Sequence, residues 1–292
     1  MKRLWAGLLI ALLLCGGCAK TPTVKIGVIE PLTGEYAAGG QLEYQGILEA
    51  YEERAQAAGM IVELVLADNQ STEEGARKAA KQLVDAGVSI VIGSWGSTLS
   101  AAAAPILEKA KIPAVATTAV VYDNDSYFSL GFSEGWQGKV LAAEAEKNGW
   151  ERVAVIYDPT SAYDIAVRNA FIEAAGKERI CAEALLEENL TECVAAMEQE
   201  QAQALLIPSL GDAAQTALPI LGGDLCESEA VYHAVYGGVS DVGYDAYGVA
   251  VAMLEGATSY AGRTGHFAWD ATFTRTEYLL QTPNGIEKRK FS

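Results

Sequence analysis

The chain has 292 residues, half of them apolar and a fifth charged, with only 5 cysteines. That composition excludes a disordered chain and a disulfide-dense scaffold. Asp and Glu total 38 against 21 for Lys and Arg, a formal net charge of −17, which excludes nucleic acid as a partner because a polyphosphate needs a basic footprint.

At the N-terminus Lys2 and Arg3 precede an unbroken apolar run, Leu4–Leu14. The run is too short for a membrane-spanning helix, which takes about 20 residues. It has the length of the apolar core of an export signal. Gly16, Gly17 and Cys18 follow, a small-residue cleavage site that resembles the lipobox of bacterial lipoproteins, in which the cysteine becomes the lipid-bearing first residue. Cys15 stands where that motif has Leu, and plain secretion with an incidental cysteine is the alternative. The lipoprotein reading makes residues 1–17 a signal peptide, 18–23 a tether, and Cys18 the lipidation site of an extracytoplasmic, membrane-anchored protein. Two acyl chains suffice for firm anchoring where one is marginal.

From Val24 onward short apolar runs alternate with helical stretches. Val24–Ile29 reads as a buried strand closed by Pro31 and Gly34, and Leu42–Ala58 as a helix free of proline. Ile61–Leu66 is the next strand. Thr72 then reads as the N-cap of a helix reaching Ala86, with Gly87 its stop. Val88–Ile92, Leu99–Ala110 and Ala114–Ala116 continue the strand, helix, strand rhythm. The rhythm restarts with helix Gly138–Asn148, strand Arg152–Tyr157, helix Ile165–Gly176, strand Ile180–Leu186, helix Thr191–Gln201 and strand Ala204–Ile207. Alternation of this kind predicts parallel sheets covered by helices, and its repetition predicts two doubly wound α/β lobes. In open α/β sheets ligands bind beyond the carboxyl ends of the strands. The residues to inspect are therefore Glu30–Gly40, Asp68–Thr72, Gly93–Ser100, Thr117–Tyr122, Asp158–Tyr163 and Pro208–Asp212.

Dinucleotide, P-loop and HExxH zinc signatures are all missing from the chain. Its two histidines, His233 and His266, are too far apart in sequence to read as a metal site, and each reads as a surface or interface residue. Cys181, Cys193 and Cys226 read as small buried residues. The expectation is no cofactor, no metal and no enzyme, since nothing supplies an oriented base for Ser97. What remains suits a small zwitterion. Gly93–Thr98 runs from a strand into a helix, where backbone N–H groups and a Ser hydroxyl favour a carboxylate; the plainer alternative is that Ser97 or Thr98 caps the helix. Thr117 and Thr118 end the next strand. Asp224 is a candidate partner for an ammonium group, or else an ordinary turn residue.

Lys25-Ile26-Gly27-Val28-Ile29-Glu30-Pro31-Leu32-Thr33-Gly34 resembles the opening of the branched-chain amino-acid-type periplasmic binding proteins, the substrate-binding components of ABC importers. The likeness continues through Ala67–Ser71, Ile90–Gly93, Ile112–Ala116, Gln137-Gly138, Val153–Asp158, Gly243–Ala246 and Asn284-Gly285. It implies a type I fold of two α/β lobes closing on a ligand about a hinge, here a compact variant. The first lobe would comprise residues 24–132 plus about 240–276, and the second 133–239 plus about 277–292. Carried over by position, Ser97 holds a ligand carboxylate, Thr118 meets the ligand through its backbone and Tyr163 covers it. Asp224 pairs with the ammonium, Glu134 supplies a second acid and Trp95 lines the side-chain pocket. The implied partners are a small amino-acid-like ligand, ABC permease subunits and, through the lipid, the membrane. Three positions depart from the pattern: Gly39 and Leu210 where aromatics stand, and Val120 where a Thr stands. The stretch between Tyr236 and Tyr244 is also short. A ligand-sensing module on the same fold, or a degenerate paralogue without transport, are the alternatives.

Overall fold

The computed structural model describes residues 22–54, 60–122, 124, 126–186, 189–269 and 273–290. The expected signal peptide and the lipidation site Cys18 lie outside the described residues, as does most of the tether. None of the described helices is long and apolar enough to cross a membrane.

The first sheet is parallel throughout, in the order β2 (Ile61–Asp68), β1 (Thr23–Glu30), β3 (Ile90–Ile92), β4 (Ala114–Ala116) and β5 (Tyr127–Ser129). Both faces of the inner strands β3 and β4 and of the second half of β1 are buried, as in parallel sheets covered by helices, while edge strand β2 keeps Ile61 and Glu63 exposed. Ile26 and Val28 point with Ile90 and Ile92 into one core, while Ile29 and Val91 point into another. The helices of this half are α1 (Ala37–Arg54), α2 (Glu73–Ala86) and α3 (Ser97–Ala110). Thr72 does cap α2, accepting the Gly75 N–H at 3.0 Å, and Gly87 ends it in the left-handed region at φ 71°. Helix α1 begins at Ala37, one turn earlier than the composition predicts. Strand β5 is not among the strands that the sequence pattern predicts.

The second sheet has nine strands. Parallel β7 (Ile180–Leu185), β6 (Val153–Tyr157), β8 (Ala204–Leu206), β9 (Ile220–Leu221) and β10 (Val231–Val235) continue into antiparallel β13 (Thr274–Thr282), β12 (Gly265–Ala268) and β11 (Ser259–Ala261), with β14 (Gly285–Lys290) on β13. Helices α4 (Glu134–Lys147) and α5 (Ala162–Ala175) cover one face through Leu141, Val167 and Phe171. Helix α6 (Leu190–Gln199) covers the other through Cys193, Val194 and Met197. The three cysteines Cys181, Cys193 and Cys226 are free thiols, and only Cys181 is not fully buried. His233, read as a surface or interface residue, is buried with Nδ1 against the Val231 carbonyl on β10, an inner strand paired with β9 on one edge and β13 on the other.

Helix α7 (Val239–Leu254) follows β10 almost at once and returns to the first body. It lies on α1 through glycines: a Cβ on Gly46 would stand 1.7 Å from the Ser240 carbonyl, and one on Gly243 would stand 2.0 Å from that of Glu43. Between the two bodies the chain passes Phe132, which stacks on Tyr236 at 4.0 Å and Trp136 at 4.8 Å. The Tyr236 hydroxyl accepts the Phe132 N–H at 2.9 Å. Arg275, buried on β13, lies over Phe132 and Phe267 and donates to the carbonyls of Leu130 and Thr264. Three separate chain segments are thus bound into one connection between the bodies.

Candidate functional site

The first wall is built at the carboxyl ends of β1, β3 and β4. Gly96, at φ 89°, turns the chain from β3 into α3, and no side chain caps that helix. The start of this helix borders a cavity of about 350 Å³ lined by Tyr36, Ser71, Glu73, Trp95, Ser97 and Thr98. Ser97 is not the cap that its position allows. Its hydroxyl accepts the Val120 N–H at 3.1 Å, joining the two loops. Trp95 lies across Gly39, where any Cβ would come within 2.5 Å of the indole. The β3–α3 loop thus lays an aromatic surface on α1 at Gly39.

Two buried acids hold this wall from behind. Glu30 Oε2 accepts the Trp95 N–H at 2.8 Å. Glu43 Oε1 accepts the Thr118 N–H at 3.1 Å and its hydroxyl at 2.7 Å, while Oε2 accepts the Thr117 hydroxyl at 2.5 Å. Thr118, expected to meet a ligand through its backbone, thus spends its N–H inside the protein. Burial pushes both carboxyls above the usual Glu range, Glu30 the further because Glu43 adds a like charge.

The second wall centres on Asp224. The Tyr163 hydroxyl lies 2.8 Å from both Asp224 Oδ1 and Gln137 Oε1, and the Asp224 N–H donates to Gln137 Oε1 at 2.9 Å. A hydroxyl has one proton, so it donates to one of the two oxygens at a time. Burial raises Asp224 above the ordinary carboxylate range, and burial followed by the Asp224 charge raises Tyr163. Gln137, quoted above only as part of a resemblance, proves to be the residue that fixes Tyr163 and Asp224 together. Glu134, in the first turn of α4, accepts from the Tyr122 hydroxyl across the gap between the bodies.

Among the described residues the structure brings Trp95 and Ser97 onto one cavity, and Tyr163 and Asp224 into one hydrogen-bonded group. No hydrogen bond among the described residues joins these two groups; Glu134 reaches the first body only through Tyr122. The string Gly131-Phe132-Ser133-Glu134-Gly135 has the spacing of a nucleophile turn. Its Ser133 hydroxyl is the N-cap of α4, accepting the Trp136 N–H at 3.3 Å. No group of three or more potential metal ligands occurs among the described residues.

A family model described as periplasmic binding protein matches residues 23–219. The chain belongs to this family. Leu/Ile/Val-binding protein homolog 3 of Brucella melitensis biotype 1 is 31% identical over 163 residues, 53% of this chain and 44% of that protein. Leu/Ile/Val-binding protein homolog 6 of Brucella abortus is 26% identical over 188 residues, 61% of this chain and 48% of that protein. The chain therefore spans about half the length of the curated relatives it matches.

Among solved structures, a putative branched-chain amino acid ABC transporter protein from Rhodospirillum rubrum superposes with a TM-score of 0.77 at 23% identity, covering 92% of this chain and 100% of that one. The substrate-binding protein LivJ of Streptococcus pneumoniae, solved with isoleucine, gives 0.67 at 20% identity over 92% of this chain and 100% of that one. At such identities the likeness establishes the fold: two α/β lobes of the periplasmic binding protein kind. The two walls described above are the strand-end walls of those lobes, and the Phe132–Tyr236–Arg275 assembly is the connection between them.

Proposed function

We propose that this chain is an extracytoplasmic solute-binding protein, lipid-anchored at Cys18, that captures an amino acid or similar small polar solute for the membrane subunits of an ABC importer. The reading rests chiefly on the opposite character of the two walls. One offers the uncapped start of α3 with the Ser97 hydroxyl; the other offers the Asp224 carboxylate held by Tyr163. A zwitterion placed between them has a partner for each charge, and burial of either charge without one is costly.

Ser97 takes the carboxylate, with the α3 N–H groups beside it. Asp224 takes the ammonium and Tyr163 closes over the solute. Trp95, lying on Gly39, faces the solute's side chain. Thr118 contributes its carbonyl, since its N–H and hydroxyl are engaged by Glu43, and Glu134 adds negative potential near Asp224. No covalent step is involved. Helix α7 packs on α1 of the first body, and closure is the population shift that a ligand touching both lobes produces. The amino acids named in the relatives' descriptions support this solute class.

Calorimetric and thermal-shift titration of the folded protein with single amino acids, amides and short peptides is the test. Saturable binding of a zwitterion supports the reading. A folded protein that binds none of them overturns it.

A further inference from the structure

Four carboxyl oxygens of Glu30 and Glu43 lie beneath the first wall, and both residues are wholly shielded from solvent. Three of the oxygens have donors: Trp95 N–H on Glu30 Oε2, Thr118 N–H and hydroxyl on Glu43 Oε1, and the Thr117 hydroxyl on Glu43 Oε2. The fourth, Glu30 Oε1, finds no N–H or O–H donor among the described residues. The Glu43 carboxyl, equally buried, is near enough to act on Glu30 as a like charge and as a hydrogen-bonding group. Two ionised carboxylates are acceptors only and cannot bond to each other. A proton on either one turns the contact into a hydrogen bond and removes the unpaired oxygen.

We propose that Glu30 and Glu43 hold one proton between them, as one acid and one carboxylate, and that this bridge positions the two loops carrying Trp95, Ser97 and Thr118. Glu30 governs the β3–α3 loop through Trp95, Glu43 governs the end of β4 through Thr117 and Thr118, and Ser97 and Val120 close the circuit at 3.1 Å. Room for the bridge is provided by Gly93, where a Cβ would stand 2.9 Å from Glu30 Oε1 and 1.9 Å from the Ile29 carbonyl.

The groups facing the pair supply no compensating cation among the described residues. From β5 comes Tyr127, whose hydroxyl donates to the Gly93 carbonyl at 2.5 Å and which feels both acids. From the segment after β10 comes Tyr236, which feels Glu43. The β3–α3 side offers neutral Ser94 and Ser100, bonded to each other. On α7, packed against α1, Asp241 is engaged by Arg263 and Asp245 by Thr264 and the Arg263 N–H. With no base to neutralise a second negative charge, the pair keeps its proton at neutral pH, since a lone burial of charge is what raises a carboxyl's affinity for it.

The bridge exists whether or not a solute binds; only its service to a solute-facing wall rests on the solute-binding reading. The test therefore uses the ligand-free full chain. Infrared spectra taken from about pH 5 to about pH 9 follow the carbonyl stretch of protonated carboxyl groups, which exposed Asp and Glu lose well below neutrality. Amide NMR shifts of Trp95 and Thr118 are followed over the same range. We expect a protonated-carboxyl band at pH 7 that is lost in the double variant E30Q/E43Q, and Trp95 and Thr118 amides that titrate with one shared midpoint above pH 7. Absence of the band from the wild type at pH 7 overturns the proposal, as does its full retention in the double variant. Separate midpoints for the two amides, or none, overturn the positioning role. The wild-type titration stands alone if the double variant does not fold.

Discussion

Gly223 has no side chain because Tyr163 occupies the place where one would be: a Cβ there would stand 1.9 Å from the Tyr163 hydroxyl. Gly223→Ala is therefore expected to push Tyr163 off Asp224 and Gln137. Overpacking of this kind costs about 1–3 kcal/mol, and urea unfolding of the variant measures it. The same substitution is expected to weaken solute binding, because it displaces the hydroxyl that, with Gln137, orients Asp224. Replacing Asp224 by Asn removes the charge while keeping the shape. If Asp224 receives an ammonium group, Asp224→Asn weakens affinity by roughly tenfold to a hundredfold, the equivalent of about 1.5–3 kcal/mol for a charge-assisted hydrogen bond. Calorimetric titration with the best solute reads this directly, and an unchanged affinity removes Asp224 from the site. Asp224 itself could be picked out from its Gly-Gly-Asp context and from family likeness. Gln137 could not, since a glutamine on a helix has no distinctive signal until a tyrosine from α5 is folded against it.

At the scale of elements, the closest crossing is that of α1 with α7. Gly46 and Gly243 bring the two backbones within van der Waals distance, so the helix that follows the second lobe is locked onto the first. Gly243→Ala is expected to destabilise the protein by about 1–3 kcal/mol and to lower the unfolding midpoint in urea without changing the secondary structure seen by circular dichroism. A variant as stable as the parent would mean that α7 is free to shift on α1. The helix ends show how far local signals reach. Thr72 and Gly87 bound α2 as the sequence predicts, because capping depends only on residues within a turn of the end. The start of α3 misleads for the converse reason: Ser97 is a good N-cap residue, yet its hydroxyl is taken by Val120 from a separate loop. Trp95 repeats the lesson. Its indole, from an element far along the chain, fills the space over Gly39.

For the whole molecule the telling quantity is where its charge is buried. Glu30, Glu43 and Asp245 all have carboxyls raised by burial. A carboxyl raised in the folded state binds its proton more tightly there than in the unfolded chain. Its contribution to stability is full below the unfolded value, about 4.3 for Glu, and is lost as the pH rises through the folded value. Through these acids the thermal midpoint is accordingly expected to decline as pH rises above about 4.3, with a shallower decline in Glu43→Gln. A midpoint that rises over that range would contradict the burial of these acids. Exposed pairs such as Arg77 with Glu73 are solvated in both states and move this profile little.

The net charge of −17 pointed away from nucleic acid but carried no information about which acids are inside. By itself the sequence determined the alternation of strands and helices, the doubling of that pattern and the family, because period, capping and turn chemistry act over a few neighbouring residues. Only the tertiary structure decided that Trp95 lies over Gly39 of α1, that Thr118 is engaged from behind, that Gln137 fixes Tyr163 and Asp224, and that Glu30 and Glu43 are both buried behind one wall. Each of these depends on two strand ends or helix faces far apart in the chain arriving at one place, and burial at that place, not residue type, sets whether an acid, a hydroxyl or an indole acts on a ligand or on its own protein.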